Sequence, residues 1–320
     1  MEVFRIEYDT PTGVFVSGQA VTGKVIVENR KPIKARFLKI IVAGAAQTGW
    51  VQSETHTRMT MHGKLESHTE NVRYGGAVDY LCKSAILWKA SDEEKCLPAG
   101  SHAFPFAFPI PTNCPPSLEG AHGSIRYYAD VELDRPWKFN RKAKKYFTGK
   151  PIVDLNDSPK AISGWENSAS KNTGLIFKKG LVSMTVHIPH GGYIPGEILP
   201  MTIDIENDSK SPVVAVRSKI KQHASYHASR GVHVRADTHS HHKYITKCVA
   251  ESKKDLDIAP KSSARVVHSI AIPKVVTTFK CPVIEVYYTV YVTIVTKSTF
   301  GGKVKVGLSF IIGNIPLRKD

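Results

Sequence analysis

One order of strand-like segments occurs twice in this chain, and no other feature of the sequence restricts its fold as much. The segment beginning Ser17-Gly18-Gln19-Ala20-Val21 and ending Glu28-Asn29 returns as Pro195-Gly196-Glu197-Ile198-Leu199 and Glu206-Asn207. Gly18 falls on Gly196 and Glu28-Asn29 on Glu206-Asn207 at a constant offset of 178 (196 − 18 and 206 − 28). At that offset Val21, Val25 and Val27 coincide with Leu199, Ile203 and Ile205. Alternate positions line one face of a strand, so the apolar face is the same in both copies.

Two further pairs follow in the same order. Pro98 and Pro111 bracket Phe104-Pro105-Phe106-Ala107-Phe108, while Pro260 and Pro273 bracket Val266-Val267-His268-Ser269-Ile270, an offset of 162 (260 − 98 and 273 − 111). Ile125, Tyr127, Ala129, Val131 and Leu133 alternate with polar residues, as do Ile284, Val286, Tyr288, Val290, Val292 and Ile294. An offset of 159 (284 − 125) keeps these apolar faces in register. A one-residue slip aligns the tyrosine pairs but turns the core face outward, which favours 159. The shrinking offset places longer loops in the first copy. The largest insertion lies between Trp50 and Cys96 and includes a polar stretch, 52–71, expected to be a long hairpin or mobile loop.

No segment has convincing helical periodicity, and Gly75-Gly76, Gly191-Gly192 and Gly301-Gly302 punctuate the chain. Many short strands with such turns predict an all-β protein of two tandem immunoglobulin-like β-sandwich domains. A length of 320 residues accords with two domains. The expected division is 1–155, a linker at 156–174 rich in Ser, Asn, Gly and Lys, and 175–320.

Hydrophobic residues make up 42% and charged residues 22%, enough apolar material for two modest cores. The opening residues lack a basic stretch followed by an apolar run, and no apolar run approaches the ~20 residues that cross a bilayer. The expected location is therefore cytoplasmic. Cys82, Cys96, Cys114, Cys248 and Cys281 are odd in number, irregularly spaced and without a CxxC, so free thiols are expected. The net charge of +16 directs attention to anionic partners: acidic membrane surfaces, phosphorylated tails or nucleic acid.

The cations concentrate in 135–146, where Arg135, Lys138, Arg141, Lys142, Lys144 and Lys145 are interleaved with Trp137, Phe139 and Tyr146. Clustered Lys and Arg grip phosphates or anionic lipid heads, while a solvated connection between two strands is the plainer alternative. Six histidines, His223, His227, His233, His239, His241 and His242, crowd one segment. On a strand His239 and His241 share a side, but a structural zinc site needs about four ligands, and no cysteine has matching spacing. An exposed hairpin with histidines that titrate near pH 6.5 is the expectation there. The sequence contains no GxSxG, HExxH, P-loop or GxGxxG motif. No catalytic residue, metal or cofactor is therefore assigned, and no enzyme activity is expected.

The most specific segment is Gly123-Ser124-Ile125-Arg126-Tyr127-Tyr128-Ala129-Asp130-Val131-Glu132-Leu133-Asp134-Arg135-Pro136-Trp137. It resembles the G-x-I-R-Y-x-V-x-A-x-x-D-R-P-W segment of the α-arrestins. Phe4-Arg5-Ile6, Val16-Ser17-Gly18-Gln19 with Gly23, and Leu97-Pro98-Ala99-Gly100 before Phe104-Pro105-Phe106 are similar to the same family. The resemblance spans nearly the whole chain. It implies a non-enzymatic cytosolic adaptor, peripheral at the plasma membrane or endosomes, that binds cytoplasmic tails of membrane receptors or transporters. An anionic membrane surface and other α-arrestins are the further partners it implies. Many members carry PPxY or LPxY motifs that dock WW domains of ubiquitin ligases. Pro115-Pro116-Ser117-Leu118 lacks the tyrosine, so direct WW docking is not expected. The alternatives are a basic nucleic-acid-binding protein, against which stands the lack of any recognised motif, and a thioredoxin-binding scaffold, as in one branch of the family.

Overall fold

The computed structural model describes residues 2–59, 61, 63–91, 95–172, 180–230, 241–297 and 303–318. The chain divides into two units. One is Met1–Ile152 with Tyr226–Lys243 and Lys280–Ile284, and the other is Val153–Ser225, Tyr244–Phe279 and Glu285–Asp320. Among the described residues no helix is long and apolar enough to cross a membrane.

The first unit is built from β1 (Val3–Tyr8), β2 (Val14–Val16), β3 (Ala20–Asn29), β4 (Ile33–Lys34), β5 (Phe37–Met59), β6 (Leu65–Lys89), β7 (Cys96–Leu97), β8 (Gly100–Pro109), β9 (Leu118–Glu119), β10 (Gly123–Asp134) and β11 (Arg141–Lys150). One sheet has the order β1-β3-β8, and the facing sheet β6-β5-β10-β11-β2 with β9 beside β10. Val21, Val25 and Val27 from the first sheet and Ile125, Tyr127, Ala129, Val131 and Leu133 from the second are all fully buried. Strict alternation thus supplies both inner faces of one sandwich. The polar insertion between Trp50 and Cys96 is the β5–β6 hairpin, with arms of 23 and 25 residues and ladders such as Thr55–Thr69 and Thr57–Ser67 across it.

The second unit repeats the plan with β12 (Trp165–Asn172), β13 (Leu181–Ile188), β14 (Gly192–Tyr193), β15 (Ile198–Asn207), β16 (Val213–Arg230), β17 (His241–Ile258), β18 (Ser262–Ala271), β19 (Phe279–Lys280), β20 (Ile284–Thr296) and β21 (Lys303–Ile312). One sheet runs β12-β13-β15-β18, the other β14-β21-β20-β16 with β17 beside β16 and β19 beside β20. The chain is therefore all-β, two tandem sandwiches.

The duplication extends to individual hydrogen bonds. Val21 faces Phe108 across β3–β8, and Leu199 faces Ile270 across β15–β18, the register that the offsets of 178 and 162 require (199 − 21 and 270 − 108). Gly18 and Gly196 both have positive φ, 87° and 97°, which is why the repeat keeps glycine there. Asn29 and Asn207 are buried, and each side-chain amide donates to two backbone carbonyls. Asn29 reaches Lys31 and Pro98, both at 2.8 Å; Asn207 reaches Ser211 at 2.9 Å and Ala259 at 3.0 Å. Each ties the end of a strand to the turn that opens its neighbour.

The third offset needs a correction. Tyr127 donates to the Pro115 carbonyl at 2.7 Å and Tyr288 to the Val276 carbonyl at 2.8 Å, which sets the offset at 161 (288 − 127 and 276 − 115) rather than 159. Both values keep the core face inward, because they differ by one pleat repeat. Face alternation alone cannot separate them, whereas the phenol–carbonyl bond does. The same tyrosines anchor matching aromatic clusters. Phe15–Phe147 and Tyr193–Phe310 meet edge-on at 5.4 and 6.0 Å, and Tyr127–Phe147 and Tyr288–Phe310 lie tilted at 5.6 and 6.2 Å. Such pairs contribute about 0.5–1.5 kcal/mol beyond burial.

The stretch 156–174, expected as a linker, is largely regular structure. It holds part of a 3₁₀ turn (Leu155–Asp157), a short helix α1 (Pro159–Ile162) and β12, while 173–174 lie outside the described residues. Its composition hid the strand for a physical reason. β12 is an outer strand, paired among the described residues with β13 alone and exposed along most of its length, so it carries no apolar alternation to read.

Candidate functional site

The basic run folds as the turn and second arm of the β10–β11 hairpin. Arg135 N donates to the Asn140 side chain at 3.0 Å, and Asn140 Nδ2 donates to Glu132 at 2.6 Å, so one asparagine clamps both sides of the turn. At the tip Trp137 has φ 60°, in the left-handed region that a bulky side chain rarely occupies. Its ring and that of Phe139 are fully exposed, at 101% and 98%.

Strand alternation then disperses the six cations. Lys142 Nζ lies 3.4 Å from Glu132, and Lys144 Nζ 3.8 Å from Asp130 and 3.8 Å from the Tyr128 ring centroid. Lys145 points to the other face, over the Tyr8 ring at 5.1 Å. Arg135, Lys138 and Arg141 stay at the turn. There Arg30, Lys31 and Lys34, from the turn between β3 and β4 and from β4 itself, join Arg135 and Lys138 around one hollow. Sequence reasoning missed these three, because their proximity depends on β3 and β10 ending at the same edge. The only legible trace was their own clustering beside Pro32. Asp134 of the D-R-P-W segment is buried and accepts from Arg36 Nη2 at 2.9 and 2.8 Å, which fixes the base of the hairpin.

Beside this hairpin lie two strand edges. β11 pairs with β10 over 141–147, while β2 covers only 148–150. β1 pairs with β3 on one side and, among the described residues, with no strand on the other. Asp9 N donates to the Thr22 carbonyl at 3.2 Å, in register with the ladder. The odd-numbered residues of β1 therefore bond to β3, and Phe4, Ile6 and Tyr8 direct their N–H and C=O groups to the outer edge. Arg141 and Lys142 border Val3 and Phe4, and Tyr8 donates to the Lys145 carbonyl at 2.7 Å. Burial holds the Tyr8 phenol well above its ordinary pKa.

The second unit displays the same edge with a strand on it. β13 corresponds to β1 at an offset of 180 (183 − 3, from the partners Glu206 and Glu28), and β12 runs antiparallel along it for eight residues. Met184 and Ile188 there are fully buried, whereas Phe4 and Tyr8 at the equivalent positions are half-exposed.

The other candidates disperse. His233 and His239 lie outside the described residues. His227 and His242 have ring centroids 4.4 Å apart, His241 packs on Tyr74 at 4.2 Å, and His223 stacks on Tyr287 at 4.7 Å with its pKa lowered, first by burial. Glu54, His56 and Glu70 bring ligand atoms within 4.8 Å of one another, but Glu70 already accepts from Arg230 at 2.5 Å and Glu54 from Tyr74. Ser218 and His268 form a hydrogen bond of 2.9 Å, buried in the core. Cys114 and Cys281 are buried, Cys96 is half-buried, and Cys82 and Cys248 are exposed.

Residues 4–156 match the arrestin (or S-antigen) N-terminal domain, and 178–317 the arrestin C-terminal domain. Arrestin domain-containing protein 17 of Caenorhabditis elegans is 27% identical over 321 residues, covering 99% of this chain and 71% of that protein. Arrestin domain-containing protein 4 of Mus musculus is 30% identical over 223 residues, and thioredoxin-interacting protein of Mus musculus 24% over 222. Each of those two alignments covers 69% of this chain but only about half of the relative, 52% and 53%. With both domain types matched in order and the duplicated sandwich in place, the chain belongs to the α-arrestin, or arrestin domain-containing, family.

Proposed function

We propose that the chain is a non-enzymatic adaptor that captures extended, acidic or phosphorylated cytoplasmic tails of membrane proteins by strand addition to β1, linking cargo to endocytic or endosomal sorting. The observation that carries this reading is the internal comparison: β12 lies on β13, whereas among the described residues no strand lies on the equivalent edge of β1. The strand on β13, polar and eight residues long, is the pattern for the occupant proposed for β1. Main-chain bonds to Phe4, Ile6 and Tyr8 would supply affinity, and Arg141 and Lys142 alongside would favour anionic side chains.

The test is hydrogen exchange with and without an acidic or phosphorylated tail peptide, alongside an RNA oligomer of equal charge. Slowed exchange at the Phe4, Ile6 and Tyr8 amides with peptide, and not with RNA, is the expected result. Peptide binding that leaves those amides unchanged would refute strand addition. Protection by RNA alone would favour the nucleic-acid alternative. For a thioredoxin-binding scaffold, suggested by the name of the murine relative, the exposed Cys82 and Cys248 would be the reacting thiols.

A further inference from the structure

We infer that the tip of the β10–β11 hairpin is a membrane-docking wedge, in which Trp137 and Phe139 enter the interfacial layer of a bilayer while the surrounding cations hold anionic headgroups. This goes beyond tail capture and, Arg141 apart, uses different side chains.

Four observations on one turn support it. Trp137 and Phe139 are both essentially fully exposed, so neither ring rests on the surface of its own unit. Large apolar groups left projecting in this way mark a contact with something outside the chain. The turn is also held firmly: Asn140 bridges Arg135 N and Glu132, and Arg36 pins Asp134 beneath it. A braced turn presents its rings at little further cost in entropy.

Trp137 moreover sits at φ 60°. A non-glycine residue there costs about 1–3 kcal/mol, and such strain gathers where function requires it. Finally, among the described residues no carboxylate forms an ion pair with Lys31, Lys34, Arg135, Lys138 or Arg141, although acids neutralise Lys142, Lys144 and Arg30 nearby. The uncompensated positive charge is thus concentrated around the aromatic tip.

A bilayer fits this arrangement better than a peptide does. Residues 135–140 form a turn with no strand edge to extend, and both rings at its tip are almost fully exposed. Tryptophan favours the membrane interface, where its ring is buried and its N–H stays wet. Each lysine or arginine near an anionic leaflet strengthens binding about fivefold, an effect that salt screens within a Debye length.

The experiment is co-sedimentation of the whole chain with phosphatidylcholine vesicles, with and without phosphatidylserine. The variants are W137S/F139S and K31E/K138E, each also assayed for tail-peptide binding and thermal unfolding. The aromatic variant should lose about tenfold or more in partitioning to anionic vesicles, since even partial burial of two such rings is worth that much. The charge variant should lose about twentyfold or more at low salt. Tail binding and Tm should be unchanged in the aromatic variant, so failure of this proposal and failure of tail capture are separable. Equal vesicle binding by wild type and W137S/F139S would overturn the wedge. Vesicle binding intact with tail binding lost would assign the rings to a protein partner and overturn it equally. Should the double variant fail to fold, quenching of the unaltered chain's tryptophan emission by bromolipids, compared with W137F, decides: no quenching that depends on Trp137 overturns the proposal.

Discussion

Asn207 shows how much one side chain carries in this fold. It is buried, donates to Ser211 and Ala259, and accepts from both the backbone and the hydroxyl of Ser209 at 3.2 and 2.7 Å. Asn29 donates equivalently, but among the described residues its Oδ1 has no hydrogen-bond partner. Replacing Asn207 with alanine strands more buried polar groups than replacing Asn29. N207A should cost about 2–3 kcal/mol and N29A about 1–2, read from urea midpoints. His268 makes a second residue-scale case. Burial, then Lys254, lowers its pKa from 6.5, so the folded chain resists its protonation. The unfolded chain binds that proton more readily. Stability from neutral His268 is therefore complete above about pH 6.5 and falls as pH drops from there towards the lowered folded value. The limit is about 1.4 kcal/mol per pH unit. Unfolding midpoints from pH 7.5 to 5 should slope less in H268Q than in wild type; equal slopes would exonerate His268.

At the scale of the element, the β10–β11 hairpin separates charges that the sequence lists as one run. Glu132 stands opposite Lys142 and Asp130 opposite Lys144 in the ladder. Reversing both lysines creates two like-charge cross-strand pairs, at about 0.2–1 kcal/mol each relative to neutral pairs. K142E/K144E should therefore lower Tm by a few degrees, measured by scanning calorimetry, whereas K31E/K138E, whose lysines form no ion pair among the described residues, should not. The basic run itself was legible residue by residue. Its division between a strand face, the opposite face and a turn was legible in part, through the period of two. The contribution of Arg30, Lys31 and Lys34 was not, since it comes from a strand that ends nearby in space and a hundred residues away in sequence. The open β1 edge was equally hidden, because an apolar strand reads the same whether one neighbour or two flank it.

For the whole molecule, duplication made the fold legible. Offsets of 178 and 162 survive in the structure as matching ladders, and the third needed only a shift of one pleat. β12 escaped because an exposed outer strand has no buried face to pattern. That strand has a consequence for valency. Two copies of one sandwich would ordinarily offer two equivalent berths, but the berth beside β13 holds the chain's own residues, covalently tethered and at an effective concentration no separate tail can match. If tails are captured by strand addition as proposed, the duplicated fold would be monovalent at this edge: a tail added beside β1 would find the place beside β13 taken, and one chain would not crosslink two cargoes through it.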